Sequence, residues 1–585
     1  MDNSIIYSTD ACSDYIYSDD YLNFLIKYDG DLQGVYDRVN PDCVTIVNSQ
    51  FLVAYKNKST DIRNQYLQLG YNSLPKCYGL MDMTALIDTG ADRVRSLPGL
   101  SLTGRGTMIG FVDTGIDYTN SLFLNPDGTT RILSIWDQTS EVFGTGQSVF
   151  GYGAEYTADT INRALKSENP YSIVPSRDVN GHGTFLASVA AGGEDVDGSF
   201  SGMAPLSELV VVKLKQVKKD IRDFFIINET AECYGEDDIF LAVKYLITKA
   251  IEQKKPMIIC VGLGTNQGDH NGSTNLELYF DTIVNLRGIC VVSAGGNELG
   301  SAGHYSGNRQ AVSDIYQDSI EINVGANDRG FSMEIWGNSP GLLKIGILSP
   351  TGELFDDISP IQDEETLASF IYEGTEVYIE NVVVDGATGD PMIFLRFDKP
   401  TQGIWTVNVK ESLDYVGRGF DAWLPIRNFL NSDTSFVRPD PYVTLCAPGN
   451  SRGTITVAGF NHESKALYMH SSRGYTRKGI IKPDIAAPSV NVYGAFARST
   501  GVVGSQSLYT RMDGTSVGAA FVAGAAALIM EWAYVRGNNP GINTETIKQM
   551  LIRGAKQIAD VSYPNRAWGW GALDIYGVFD VMRNI

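Results

Sequence analysis

Near-continuous apolar segments that alternate with helical patterns restrict the folds available to this chain more than any other feature. The apolar segments lie at residues 107–113, 209–214, 257–263 and 288–293. Two amphipathic helical patterns, at residues 236–253 and 275–286, separate the last three of these segments. Strands that are apolar on both faces and joined by helices form parallel sheets. The sequence therefore predicts an α/β fold in which helices cover both faces of a parallel sheet.

The N-terminal region has a different pattern. It combines strand patterns at residues 21–28 and 43–55 with a helical pattern at residues 61–69. Such a mixture of short elements indicates a small α/β unit, which we assign to residues 1–81.

A second change of pattern interrupts the α/β region. Residues 310–438 contain short strand patterns separated by turns, which is typical of an all-β sandwich. The α/β pattern resumes afterwards, with a strand pattern at residues 454–460 and helices that begin near Gly514 and Thr544. The sandwich is thus inserted into the α/β domain. The predicted segments are 1–81, 82–309, 310–438 and 439–585.

The net charge and the lengths of the apolar runs argue against several classes of partner. The chain has 46 Lys and Arg residues against 68 Asp and Glu residues, a net charge of −22. Nucleic acids and anionic membranes bind basic surfaces, so neither is expected as a partner. No apolar run approaches the roughly 18 residues of a membrane span, and no secretory signal pattern opens the chain.

The seven cysteines are widely spaced and form no Cys-x-x-Cys pair. Their odd number and spacing favour reduced thiols in a cytosol-like compartment, although non-classical export also fits. The same pattern argues against structural zinc, and we expect no metal or other cofactor.

Two polar residues stand in unusual local settings. Asp113 ends a buried strand pattern, in Gly-Phe-Val-Asp-Thr-Gly-Ile-Asp. Functional side chains gather at that edge of α/β sheets, although an aspartate there can also simply cap a turn. His182 lies between two glycines at the start of a helix rich in small residues, so other groups can approach both sides of its ring. A lone histidine is otherwise most often structural.

Ser516 opens a third motif, Asp-Gly-Thr-Ser-Val-Gly-Ala-Ala, at the start of a small-residue helix. On its own it could be an N-cap. A nucleophilic hydroxyl, however, needs a base, and an imidazole base needs a carboxylate that fixes its orientation. Because the order Asp, His, Ser is one of the known orders of this triad, the three motifs together predict that Asp113, His182 and Ser516 are catalytic.

These motifs resemble those of the subtilisin-like serine proteases, or subtilases, over about residues 100–305 and 440–585. The resemblance implies a subtilisin-like parallel sheet, serine endopeptidase activity and protein or peptide substrates. It also implies that Asn297, in Val-Val-Ser-Ala-Gly-Gly-Asn, donates to the oxyanion. The implied substrate-binding residues are Gly262, Leu263 and Gly264 on one wall, Ala294, Gly295 and Gly296 on the other, and Cys446 at the pocket base.

Within that family, the phrase Arg131-Ile-Leu-Ser-Ile-Trp-Asp-Gln138 and the inserted sandwich resemble the clostridial Csp-type subtilases linked to spore germination. This resemblance implies that residues 1–81 are a prodomain, cut off by the chain itself between Cys77 and Met83 and able to stay bound. It also implies a jelly-roll-like insert, limited proteolysis of a precursor protein, and a place in the bacterial cytoplasm or spore.

Two alternatives to that role stay open. One is a general peptide-degrading subtilase. The other is a non-enzymatic pseudoprotease regulator, and the complete set of triad residues speaks against it.

Overall fold

The computed structural model describes residues 12–58, 70, 73–80, 87–140, 150–195, 200–307, 315–358, 365–412, 419–498 and 508–583, and the structural statements below concern these residues.

An eight-stranded sheet forms the centre of the α/β domain and confirms the predicted parallel arrangement. Its first seven strands run parallel, and only the last pairs antiparallel to its neighbour. In spatial order the strands are Ile485–Pro488, Ile455–Phe460, Ile289–Ala294, Met257–Val261, Met108–Asp113, Glu208–Lys213, Ile132–Asp137 and Ala154–Thr157.

Helices cover both faces of this sheet, as predicted. Alternate residues of the central strand Met108–Asp113 point to opposite faces, so Phe111 joins the core under helix Thr515–Met530. Val112 joins the core under helix Glu236–Gln253 on the other face. The α-helices are Ser13–Ile16, Leu32–Val39, Ala91–Ser96, Ala158–Leu165, His182–Ala191, Lys219–Phe224, Glu236–Gln253, Asn275–Ile283, Thr515–Met530, Thr544–Gly554 and Ile575–Arg583. Short 3₁₀ turns lie at Ile87–Thr89, Ser121–Phe123, Pro170–Ser172 and Arg427–Phe429.

Helix Thr515–Met530, called the serine helix below, continues through a π-helical turn to Val535. Within the described ranges it is the one helix long and apolar enough to cross a membrane, by length and composition only, and its most apolar window is 94% buried in the fold. Gly524 packs so closely that an added Cβ would lie 2.3 Å from Cβ of Met203. This central position in the core accounts for the apolar composition of the helix.

The N-terminal unit is a three-stranded antiparallel sheet in the order Tyr21–Lys27, Phe51–Asn57, Cys43–Ile46, with helix Leu32–Val39. The prediction of one strand over residues 43–55 is wrong, because the segment forms a hairpin. The side chain of Asn48 accepts hydrogen bonds from the backbone of residues 50 and 51 and closes the turn. The helix predicted at residues 61–69 lies outside the described residues.

A disulfide joins Cys12 to Cys43, with 5.6 Å between the two Cα atoms. The prediction of reduced thiols is therefore wrong for this pair, which the sequence alone did not bring together because 31 residues separate its members. Disulfides persist in oxidising compartments, and the compartment of this chain stays a prediction. The free cysteines in the described part of the chain are all buried: Cys233, Cys260, Cys290 and Cys446.

The inserted segment forms two antiparallel sheets that share one apolar core, to which Ile335 and Leu395 contribute from the first sheet and Val407 from the second. The first sheet has the order His304–Ser306, Asp421–Trp423, Gly330–Trp336, Met392–Asp398, Thr375–Val382 and Glu365–Phe370. The second has the order Leu354–Ile358, Leu343–Leu348, Gly403–Ser412, Ile315–Val324 and Ser435–Phe436. Because strand His304–Ser306 belongs to it, the sandwich begins before the predicted residue 310.

Candidate active site

Asp113 is the last residue of the central strand, at the carboxyl edge of the parallel sheet. Its buried carboxylate accepts a hydrogen bond from the backbone nitrogen of Thr114 and lies 2.8 Å (Oδ1) and 3.0 Å (Oδ2) from Nδ1 of His182. A carboxylate can only accept, so Nδ1 of His182 carries the hydrogen. This leaves Nε2 of the ring as an acceptor on the opposite side.

His182 begins helix His182–Ala191, and its Nε2 lies 3.1 Å from Oγ of Ser516. Ser516 is the second residue of the serine helix and is fully buried. The structure thus brings together the three predicted residues, which come from a strand end and from the first turns of two helices, in the geometry of a nucleophile, a base and its orienting acid.

Glycines permit this close packing. An added Cβ on Gly183 would lie 2.2 Å from the carbonyl oxygen of Gly115, so the turn that carries Asp113 and the helix that carries His182 touch through backbone. An added Cβ on Gly262 would lie 3.2 Å from Cβ of Ser516. A side chain at either position would push the triad apart.

Asn297 follows strand Ile289–Ala294 and lines the cleft beside His182. Its Oδ1 accepts hydrogen bonds from the backbone nitrogen (3.0 Å) and the hydroxyl (3.2 Å) of Thr515. Because the amide oxygen is fixed on the serine helix, the amide nitrogen is the group left to donate into the cleft. This orientation suits an oxyanion donor.

The family resemblance implies that an extended substrate adds a strand beside Gly262, Leu263 and Gly264. In the structure, a segment of the chain itself occupies this edge: Cys77–Leu80 pairs antiparallel with Leu263–Gly264, with Leu80 opposite Leu263. The same segment pairs on its other side with Tyr234–Gly235. The edge is thus a strand-binding site, and residues 77–80 fill it.

Cys446 precedes the turn at Ala447 and Pro448, and its backbone nitrogen donates to the carbonyl oxygen of Gly295. An added Cβ on Gly296 would lie 2.5 Å from Sγ of Cys446, so the thiol packs directly behind the glycine wall. Burial raises the pKa of this thiol well above its usual range. Because the thiol of Cys446 is buried, we expect it to be protected from alkylation.

The predicted second wall of the substrate site, Ala294, Gly295 and Gly296, does not face the cleft along its whole length. Gly295 donates from its backbone nitrogen to the carbonyl oxygen of Val457, so it backs onto the neighbouring strand, and Ala294 ends strand Ile289–Ala294 with its side chain buried. Asn297 and Glu298 line the cleft. The assignment of Ala294, Gly295, Gly296 and Cys446 to substrate binding stays a prediction.

The Subtilase family model matches residues 104–387 and 439–571 of this chain. The chain belongs to the subtilase family. A solved structure, described as the CspB protease of Clostridium perfringens, superimposes with a TM-score of 0.73 and 30% identity, and the match covers 85% of this chain and 99% of that one.

Matches to sequences are more distant. The subtilisin-like protease SBT2.2 of Arabidopsis thaliana is 22% identical over 498 residues, covering 74% of this chain and 55% of that protein. The serine protease AprX of Bacillus subtilis (strain 168) is 33% identical over 145 residues, covering 22% of this chain and 30% of that protein. The chain spans about half the length of the plant relatives it matches.

Sequence reasoning missed Asp178, which holds this subtilase's histidine motif in place. Its buried carboxylate accepts from the hydroxyl of Thr114, the backbone nitrogen of Gly181, and the backbone nitrogen and hydroxyl of Thr184. Burial raises the pKa of Asp178, although these four hydrogen bonds favour its charged form. The signal for Asp178 in the sequence is its position, four residues before His182.

Sequence reasoning also missed residues 426–428, which line the cleft although the chain reaches them only after the sandwich. The cleft has a volume of about 350 Å³. Its lining residues are Asn180, His182, Gly264, Asn297, Glu298, Ile426, Arg427, Asn428, Tyr468, His470, Met512 and Asp513. No local pattern around residue 426 indicates a site, so only the fold could reveal it.

Proposed function

We propose that this chain is a serine endopeptidase that cleaves peptide bonds by acyl transfer. The observation that carries the proposal is the continuous contact from Asp113 through His182 to Ser516, with distances of 2.8 Å and 3.1 Å. An extended substrate strand beside Leu263–Gly264 would place its carbonyl group near both Ser516 and the amide of Asn297.

Ser516, His182 and Asn297 carry out the steps of this acyl transfer. Oγ of Ser516 bonds to the scissile carbonyl carbon while its proton passes to Nε2 of His182. The oxyanion accepts hydrogen bonds from Asn297 and from the backbone nitrogen of Ser516. The carbon–nitrogen bond then breaks as His182 returns the proton to the leaving amine, and water hydrolyses the acyl ester by the same route.

A fluorophosphonate probe tests this function. The processed protein should be labelled at Ser516, whereas Ser516→Ala should not be labelled and should not cleave casein. A matched control is Ser464→Ala, because Ser464 lies on the exposed surface. Absence of labelling in a folded wild-type protein would instead favour the pseudoprotease alternative.

We further propose that the chain cuts itself and that residues 1–81 are its prodomain. Support comes from the described elements on either side of the expected cut. On the amino side, strand Cys77–Leu80 lies in the substrate position. On the carboxyl side, the turn Ile87–Thr89 is held to the α/β domain by an ion pair between Asp88 and Lys465. Leu80, the last described residue of this strand, pairs with Leu263, and the neighbouring Gly262 lies against Ser516. We therefore expect the cut after residue 81.

Retention of the cut prodomain is supported by its contacts with the α/β domain. Phe51 packs edge-on against Phe240 with the ring centroids 5.4 Å apart. The ammonium group of Lys218 donates to the carbonyl oxygens of Tyr15 and Tyr21, each at 2.9 Å. Mass spectrometry of the purified protein should find a second chain that begins at Asp82, absent from Ser516→Ala. One full-length chain in both samples would refute self-cleavage.

The role of activating a precursor protein, as in Csp-type subtilases, rests on the resemblance to those proteins and on the CspB similarity. General peptide degradation is the alternative. Equal turnover of casein and of unfolded peptides, without preferred sites in a bacterial lysate, would favour the alternative.

A further inference from the structure

The chain that leaves the sandwich returns to the active site. Strand Asp421–Trp423 is followed by the 3₁₀ turn Arg427–Phe429, which we call the return turn. Its first residue, Arg427, lines the cleft together with His182 and Asn297. The sandwich segment therefore contributes a wall next to the reacting groups.

The backbone of the return turn is held firmly against the α/β domain. The backbone nitrogen of Arg427 donates to Oε2 of Glu298 at 3.2 Å. The carbonyl oxygen of Phe429, whose ring is buried, accepts from the backbone nitrogen of Asn228. The carbonyl oxygen of Leu424, just before the turn, accepts from the side chain of Asn266. These contacts fix the backbone position of Arg427 beside the cleft.

The guanidinium group of Arg427, in contrast, can change partners. Its side chain is 59% exposed, and Nη2 lies 3.0 Å from Oδ1 of Asp433, whose side chain is 91% exposed. An ion pair this exposed contributes only about 0–1 kcal/mol, so a substrate carboxylate can displace Asp433.

Arg427 is also the only lysine or arginine among the described residues that line the cleft. Of the two acids there, Glu298 accepts a hydrogen bond from the backbone nitrogen of Arg427. Burial raises the pKa of its carboxyl group, and the positive charge of Arg427 opposes this rise. Asp513 accepts from the backbone nitrogen of Asn491. Arg427 is thus the permanently cationic side chain among the described lining residues, and its charge attracts a substrate group of opposite sign.

The sequence around the proposed cut places an acidic residue where Arg427 could bind it. The segment that joins Leu80 to Ile87 reads Met-Asp-Met-Thr-Ala-Leu, and Asp82 is its only charged residue. Asp82 directly follows the bond at which the proposed cut occurs. The first substrate of the enzyme therefore carries a carboxylate next to the scissile bond.

We propose that Arg427 is a specificity residue that binds an acidic substrate side chain beside the scissile bond. This proposal rests on the proteolytic function proposed above. A charge-assisted hydrogen bond to the guanidinium group would favour an acidic peptide over its amide counterpart by about tenfold or more.

The experiment uses processed enzyme, assayed after the lag in which residues 77–80 leave the edge, and quenched fluorescent peptides with the sequence of residues 77–86, with Asp, Asn or Lys at the position of Asp82. We expect the ratio of kcat/KM for Asp over Asn peptides to be about ten in the wild type. Arg427→Gln should bring this ratio to about one, and Arg427→Glu should make the Lys peptide the best substrate. Arg329→Glu, on an exposed arginine paired with Glu229, is the matched control and should keep the wild-type ratio.

A second measurement works within one chain. Self-cleavage should be slow in Arg427→Glu and should recover when Asp82→Lys is added. If Arg427→Gln still labels with the fluorophosphonate probe but keeps the wild-type Asp/Asn ratio, the proposal is overturned. If the wild type cleaves no peptide and does not label, the proteolytic function fails instead, so the two failures are distinguishable.

Discussion

Asn23 in the N-terminal unit donates from Nδ2 to the Asp237 carboxylate at 2.5 Å, and both side chains are buried. Asp237 stands in the first turn of helix Glu236–Gln253, where backbone N–H groups and the helix dipole favour a negative charge. The N-terminal unit therefore covers a charged helix terminus and supplies a polar partner for it.

Asn23→Ala should weaken retention of the cut prodomain. Removing one partner of a buried charged group costs about 1–3 kcal/mol, which corresponds to roughly 5–150-fold in the dissociation constant. Size-exclusion chromatography of the processed protein and titration with isolated prodomain would measure this. Asp37→Ala is the control, because Asp37 is exposed and accepts from the side chain of Gln33 within the same helix. Equal loss of binding in both variants would contradict the prediction.

Asn297→Ala should reduce kcat by about 10²–10³-fold, as removal of the corresponding oxyanion donor does in subtilisin. KM should change little, because the lost hydrogen bond forms in the transition state. Steady-state kinetics with one peptide would measure both. Fluorophosphonate labelling confirms that the site is still assembled. A change confined to KM would show that Asn297 binds the ground state instead.

Glu277→Gln should stabilise the protein at alkaline pH. Burial raises the pKa of Glu277 to about 8, and the nearby Asp269 adds to this. Because the folded-state pKa exceeds that of the unfolded chain, the stability contribution is complete below about pH 4 and is lost as the pH rises towards 8. We expect Tm to rise by at least about 2 °C at pH 9 and to change little at pH 4. Glu463→Gln, at an exposed site, should leave Tm unchanged at both. A larger gain at pH 4 than at pH 9 would contradict this assignment.

Cys446→Gly should widen the range of accepted side chains on the amino side of the scissile bond. Sγ of Cys446 packs behind Gly296, so its removal frees volume at the base of the predicted pocket. One or two methylene groups of fit change discrimination by about 10–200-fold. We expect kcat/KM for Phe and Tyr peptides to rise more than for Ala and Ser peptides. A wild-type profile already dominated by large aromatic residues would show that Cys446 does not limit the pocket.

The parts predicted correctly from sequence are those with a local signal. A central strand that is apolar on both faces predicted its parallel neighbours. The short motifs singled out Asp113, His182 and Ser516, which the fold brings into contact, and their catalytic roles stay a prediction. These signals are local because a strand end or a helix start needs particular residues within a few positions.

The features that sequence reasoning missed depend on contacts between distant segments. Cys12 meets Cys43 only once the hairpin has formed, and Arg427 reaches the cleft only because the sandwich closes on itself. In the sequence Asp178 is an ordinary loop acid, and only the fold places Thr114 and Thr184 around it. Hydrophobic periodicity does not predict contacts between segments that are distant in the sequence.

The position of strand Cys77–Leu80 also fixes an order of events. The strand is tethered to the domain it occupies and is paired on both of its sides, with Leu263–Gly264 and with Tyr234–Gly235. A tethered segment competes at an effective concentration in the millimolar range, which a micromolar external substrate cannot match. The proposed cut alone leaves the amino-side product in place, so access for a second protein would begin only when residues 77–80 leave this edge. The onset of activity towards other proteins should then follow a first-order lag whose length does not depend on enzyme concentration.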